Sequence, residues 1–274
     1  MLKNNKLQRT SNQKGFTLVE LAIVLVIIGL IVSSVVVGQD LIKAAQLRAT
    51  VRQLNDFQVG VNTFITKYNG IPGDINNGTK FGLTGTAGYQ DGTAGAGDAN
   101  GILTSAASAS LVTTFTGEMS TFWSHLTTSG KELISGSYNG DGCAAASVAC
   151  AAGTDFPAMK MGANGWGVFG ASGVNYFVAG VANPGSATAL TVTSNTFIPT
   201  DAYNIDNKID DGIPNGGNVV SRAGHATVID TAALAGAAEV AGNTRCNNTT
   251  PTPNEYQFTN TAPLCTLRFA MQTF

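Results

Sequence analysis

From Phe16 to Gly38 the chain reads FTLVELAIVLVIIGLIVSSVVVG, an apolar run broken by a single charge, Glu20. About 20 apolar residues are enough to cross the hydrocarbon core of a bilayer as a helix, so the run qualifies as a membrane span by length. Beyond it the pattern changes. Leu41, Ala44, Leu47, Val51, Leu54, Gln58, Val61, Ile65 and Tyr68 recur every three or four residues, and only Gln58 among them is polar. That is the stripe of an amphipathic helix. Lys43, Arg48, Arg52, Asp56 and Lys67 fall on other faces, and Gly70 and Pro72 in Asn69-Gly70-Ile71-Pro72-Gly73 stop the pattern. The two stretches predict one helix over residues 17–69, about 80 Å long at the α-helical rise. Its first half is apolar all round and its second half has one apolar side.

The remainder reads differently. Residues 70–101 are rich in Gly, Thr, Asn and Asp and predict a long surface loop. A second amphipathic helix is expected over Ser105–Ser129, with Leu111, Phe115, Met119, Phe122 and Leu126 as its stripe and Gly130 as its cap. Strands are expected at Trp166–Phe169, Val174–Val181 and Leu190–Thr193, with Gly170-Ala171-Ser172-Gly173 turning between the first two. Thr200–Asp211 reads as a short helix ended by Gly212 and Pro214. Val219–Ile229, Tyr256–Phe258 and Leu264–Met271 are further strands. The fold class that follows is α+β: a long N-terminal helix packed against a small antiparallel sheet. The expected organisation is a short basic leader at 1–15, a helix at 16–69 with its membrane part at 16–38, and a globular head at 70–274.

Composition narrows the function classes. Of the 274 residues 43% are hydrophobic and only 12% charged, which is too apolar for a disordered chain. Lys3, Lys6, Arg9 and Lys14 give the first 15 residues four positive charges and no acid. Such an excess keeps that end in the cytoplasm and places the rest outside. The other residues carry 11 basic against 17 acidic side chains. A net acidic chain argues against bulk nucleic-acid binding by phosphate neutralisation, while a local strip of Lys43, Arg48, Arg52 and Lys67 keeps DNA as a possible partner. Cys143, Cys150, Cys246 and Cys265 show no paired CxxC spacing, and an even count in an exported chain points to disulfides. Three pairings are open. The preferred one joins 143 to 150 and 246 to 265, closing loops worth about 2.5 and about 3.3 kcal/mol in the chain-entropy picture.

A cleaved secretory signal would end its apolar core in a small-residue cleavage site, and none follows this core. Gly15 instead precedes it. The run Lys14-Gly15-Phe16-Thr17-Leu18-Val19-Glu20 resembles the cleavage and N-methylation motif of type IV prepilins and type II secretion pseudopilins. The resemblance extends over residues 1–68; beyond that only a pilin-like layout is shared. It implies a prepilin peptidase that cuts between Gly15 and Phe16 and then methylates the new amino terminus at Phe16. It also implies that Glu20 neutralises the terminal amine of a neighbouring subunit and so sets assembly register. Physics agrees that Glu20 wants a partner, because a carboxylate at the bilayer centre costs about 2.5–3.5 kcal/mol. The family often bends its helix with a proline where this chain has Val37, so no such bend is expected here. The Cys246–Cys265 loop would correspond to the family's C-terminal disulfide-bounded region.

Other signals lead nowhere. Asp201, Asp206, Asp210 and Asp211 hint at calcium, but from Asp206 the EF-hand positions three and six are Lys208 and Asp211, and the pattern fails. His125 and His225 are too few for a multi-histidine metal site, and no nucleophile or phosphate-loop motif is present. Trp123 and Trp166 read as core or interface residues. Asn77, Asn247 and Asn248 fit the glycosylation pattern by coincidence. No catalytic residue, metal or cofactor is expected. The resemblance implies a non-enzymatic filament subunit of the bacterial inner membrane, single-pass, with a periplasmic head, that later joins a pilus or pseudopilus. Its partners would be prepilin peptidase, other pilin subunits and an inner-membrane assembly platform. The alternatives are a type II secretion pseudopilin, or a membrane-anchored periplasmic binding module or enzyme.

Overall fold

The computed structural model describes residues 15–76, 78–83, 97–104, 117–127, 132–140, 151–162, 164–171, 173–181, 196–214, 216–223, 246–248 and 255–272. Helix α1 runs from Leu18 to Tyr68 and ends one residue short of the expected boundary. The backbone leaves it through Asn69, which takes the left-handed conformation (φ 53°) that asparagine tolerates, ahead of Gly70. The chain divides into two compact units, residues 1–45 and 46–274.

In the first unit the helix is one long apolar surface. Leu18, Leu21, Val24, Ile27, Leu30, Ile31, Val35 and Val37 are all exposed, on every side. Within it Ser34 Oγ donates to Leu30 O at 2.8 Å. Within the described residues this helix is long and apolar enough to cross a membrane.

In the second unit the rest of α1 is a core element. Its buried face is Thr50, Leu54, Phe57, Gly60, Val61, Phe64 and Tyr68. The expected stripe is therefore rotated: Leu41 and Ala44 are exposed, Leu47, Val51, Gln58 and Ile65 lie at the margin, and Phe57 and Phe64 take the centre. Both candidate faces have helical period, and the aromatic one wins because it removes more apolar area from water. Gln58 at the margin accepts from Gln272 N at 3.2 Å and donates to Gln272 O at 2.5 Å, satisfying a backbone unit beyond the last strand. Gln53 accepts from Trp166 Nε1 at 2.9 Å and donates to Ala158 O at 2.8 Å.

Strands β1 (Gly165–Ala171) and β2 (Val174–Val181) form a hairpin, with Gly173 at φ 82° in its turn. Gly170 and Ala171, expected in the turn, stay in the ladder opposite Asn175 and Val174. Strand β6 (Cys265–Ala270) pairs antiparallel with β2 on one side and with β3 (Val219–Ala223) on the other. The resulting four-stranded antiparallel sheet has the order β1-β2-β6-β3. A minor ladder joins β4 (Asn247–Asn248) to β5 (Glu255–Tyr256). The architecture is α+β and pilin-like. The expected strand at 190–193 lies outside the described residues, as does the end of the strand expected at 219–229.

Helix α2 (Glu118–Thr127) is shorter than expected. Gly117 at φ 64° forbids a helix through that point, and residues 105–116 lie outside the described set. Nor is it amphipathic: all ten residues are buried. Its hydroxyls are satisfied along the helix, Ser124 donating to Thr121 O and Thr127 to Trp123 O, each at 2.9 Å. Helix α3 (Pro199–Ile209) opens on Pro199, whose missing N–H is no loss at a helix start.

The aromatic centre of the head joins α1 to α2 and the sheet. The Phe57 ring lies 4.9 Å from Trp123, 5.6 Å from Trp166 and 6.0 Å from Phe177, centroid to centroid. Trp123 and Trp166 are thus core residues. Cys246 is joined to Cys265, fastening the approach to β4 onto the start of β6. Cys143 and Cys150, expected to form the other bridge, lie outside the described residues, as does His225.

Candidate functional site

The N-terminal segment carries the chemistry that the chain pattern singles out. Residues 15–17 are non-helical and lead into α1. Gly15 is open: a Cβ placed there would meet nothing within 4 Å. Phe16 follows at 91% exposure. The two residues flanking that bond are thus non-helical and exposed, which is what a peptidase needs.

Glu20 stands in the first turn of α1 and has a partner that composition alone does not suggest. Thr17 N and Thr17 Oγ1 both donate to Glu20 Oε2 at 2.8 Å, and Glu20 N donates to Thr17 Oγ1 at 3.3 Å. This is a reciprocal capping box, Thr-x-x-Glu, satisfying two of the N–H groups that a helix start leaves open. It also places a carboxylate at the positive end of the helix dipole, where negative charge is favoured. The signal was readable as Thr17 and Glu20 three apart just before an apolar run. The box occupies Oε2 and turns the carboxylate back toward the residue next to Phe16. A cation beside the helix start would meet that group.

The head contributes no comparable catalytic constellation among the described residues. His125 is buried in α2, where its Nδ1 accepts from Gly73 N at 2.9 Å and burial pushes its pKa down to about 3. That is a neutral structural histidine. Two groups of acids bring carboxylate oxygens within 4.8 Å of one another: Asp206 with Asp210 and Asp211, and Asp74 with Asp98 and Glu118. In the first group Tyr256 donates its hydroxyl to Asp206 Oδ2 at 2.7 Å, Ile213 N donates to Asp211 Oδ1 at 2.8 Å, and Asn218 N and Val219 N donate to Asp210 Oδ2. These acids organise the turn from α3 into β3. Asp201, the fourth acid of that stretch, is buried in the first turn of α3. The second group joins three distant segments, so no local spacing announces it.

Residues 10–36 match the family model described as the prokaryotic N-terminal methylation motif. No curated protein and no solved structure matches the chain. The motif is the signal of type IV prepilins and pseudopilins, and it supports a type IV pilin or pseudopilin precursor. It suggests a structural subunit rather than an enzyme, processed by a prepilin peptidase and assembled with other pilins. The apolar helix that follows it fits membrane anchoring.

Proposed function

We propose that the chain is the membrane-inserted precursor of a structural subunit of a type IV pilus-like filament. In this reading a prepilin peptidase cuts between Gly15 and Phe16 and methylates the Phe16 amine, and the mature subunit assembles through its N-terminal helix. The observation that carries it is the pairing of an open Gly15 and an exposed Phe16 with a helix segment, Leu18–Val37, that is exposed and apolar on every side and whose one acid is Glu20 in the first turn.

The physical logic has two stages. Before cleavage, the run Phe16–Gly38 at about 1.5 Å per residue gives about 34 Å, enough for a hydrocarbon core of about 30 Å. Lys3, Lys6, Arg9 and Lys14 hold the leader on the cytoplasmic side of the inner membrane, and the head lies in the periplasm. After cleavage, the leader's charges are gone and a single ammonium remains at Phe16. The apolar helix then has two acceptable environments: lipid, or the matching helices of other subunits. Transfer between them costs little hydrophobic energy, because both remove the same surface from water. Specificity comes from Glu20, whose carboxylate pairs with the Phe16 ammonium of a neighbouring subunit and fixes the axial step. An inner-membrane assembly platform delivers the subunits.

Intact mass of the membrane-extracted protein tests processing directly. The expected species has lost residues 1–15 and gained one methyl group; a chain that keeps Met1 in cells with active prepilin peptidase would refute the reading. Glu20→Ala separates the two stages. The expected outcome is normal leader removal with loss of filaments, and normal filaments from that variant would remove Glu20 from assembly.

A further inference from the structure

The second acid group lies away from the membrane helix, inside the head. Asp74 sits in the turn just after α1, Asp98 in the segment 97–104, and Glu118 opens α2. Asp74 is 1% exposed and Glu118 is fully buried. Between them they hold one stretch of chain. Glu118 Oε1 accepts from Gly97 N at 2.9 Å and Asp98 N at 3.3 Å, and its Oε2 accepts from Thr104 N at 2.7 Å and Thr104 Oγ1 at 3.0 Å. Asp74 Oδ1 accepts from Ala99 N at 2.5 Å and Oδ2 from Gly101 N at 2.6 Å. Five backbone N–H groups of an eight-residue segment thus converge on two carboxyls. The segment bends to reach them, with Gly97, Ala99 and Gly101 all at positive φ; for Ala99 that conformation costs about 1 kcal/mol or more and needs outside support.

The surroundings supply no counter-charge among the described residues. Asp98, the third acid, adds repulsion. From α2, His125 is neutral and tied to Gly73 N. From β2, the neutral Asn175 accepts from Leu103 N and donates to Gly101 O. Lys67 on α1 and Lys80 in the 3₁₀ turn Gly78–Phe81 are exposed. Two buried carboxyls whose oxygens lie within 4.8 Å of each other, with no cation beside them among the described residues, favour sharing one proton. We propose that Asp74 and Glu118 form a proton-sharing pair that acts as a pH-dependent latch, fastening residues 97–104 to the end of α1 and the start of α2 while the proton is held. On release the proton goes to solvent, leaving two buried anions that repel each other and draw water in.

Burial, with Asp74 beside it, pushes Glu118 up to about 7, and burial likewise raises Asp74. The unfolded chain releases these protons in the ordinary carboxyl range, so between there and about pH 7 the folded head binds more protons. Stability from the latch is complete below that range and is lost as pH rises through about 7.

The test uses the full chain in detergent micelles. Amide exchange at Gly97, Ala99, Gly101 and Thr104, corrected for intrinsic base catalysis, should quicken about tenfold from about pH 6 to about pH 8, the change that one proton linkage dictates. Infrared spectra near pH 6 should show a protonated carboxyl band that Glu118→Gln weakens. Asp74→Asn and Glu118→Gln should each flatten the dependence of melting temperature on pH. A band unchanged in Glu118→Gln, or unchanged dependence of melting temperature on pH in both variants, would overturn the proposal. So would calcium raising the melting temperature of the parent chain but not of Glu118→Gln, because the acids would then be metal ligands.

Discussion

Phe57→Ala tests whether the aromatic face of α1, rather than the stripe through Gln58 and Ile65, holds the head together. Phe57 is 3% exposed and its ring meets Trp123, Trp166 and Phe177, which belong to α2, β1 and β2. Removing a buried phenylalanine costs about 3–5 kcal/mol, combining lost transfer energy with the cavity left behind. Here the edge contacts to Trp123 and Trp166 are lost as well, and rigid rings around the gap resist collapse. The expected loss is therefore about 4 kcal/mol, against a total stability of about 5–15 kcal/mol for a typical domain. For a unit of this size each kcal/mol moves the melting temperature by about 2–4 °C, so the shift should be about 8–16 °C. Thermal unfolding of the full chain in detergent, followed by tryptophan fluorescence, reads the change at Trp123 and Trp166 themselves. Val59→Ala is the control: Val59 lies two residues away at 64% exposure, and its loss should change stability by no more than about 0.5 kcal/mol. If Phe57→Ala melts within about 4 °C of the parent, or Val59→Ala falls as far, the assigned face is wrong.

Two further outcomes concern backbone and cross-link. Gly73 has φ 87°, and a Cβ there would lie 2.2 Å from Glu118 O, whereas Gly82 has φ 66° and open space. Gly82→Ala should cost about 1–2 kcal/mol for the left-handed backbone alone, and Gly73→Ala clearly more, both measured by chemical denaturation; equal costs would refute the close packing of the α1 exit on α2. Replacing Cys246 and Cys265 together by alanine should lower stability by about 2–5 kcal/mol, seen as a fall in melting temperature. A double variant that melts with the parent would mean that the bridge contributes nothing to the head.

The membrane-type helix, the Gly15–Phe16–Glu20 motif and the strands expected at 166–169, 174–181 and 264–271, found at 165–171, 174–181 and 265–270, were legible from the chain because each depends on local pattern. An apolar run needs no partner to be recognised, and alternation with a glycine turn predicts a hairpin wherever it lies. The Thr17–Glu20 capping box, three residues apart, is equally local. What local pattern could not decide was which of two helical faces on α1 would be buried. Leu54 and Val61 belong to both; only the arrival of Trp123, Trp166 and Phe177 makes Phe57 and Phe64 the centre and leaves Gln58 to clasp Gln272. The same holds for α2, whose polar residues suggested a wet side until packing enclosed all of them. The Asp74–Asp98–Glu118 group is wholly a product of tertiary structure. Its members lie 20 or more residues apart, and their chemistry arises because folding removes water from carboxyls that, in an open chain, would be ordinary acids.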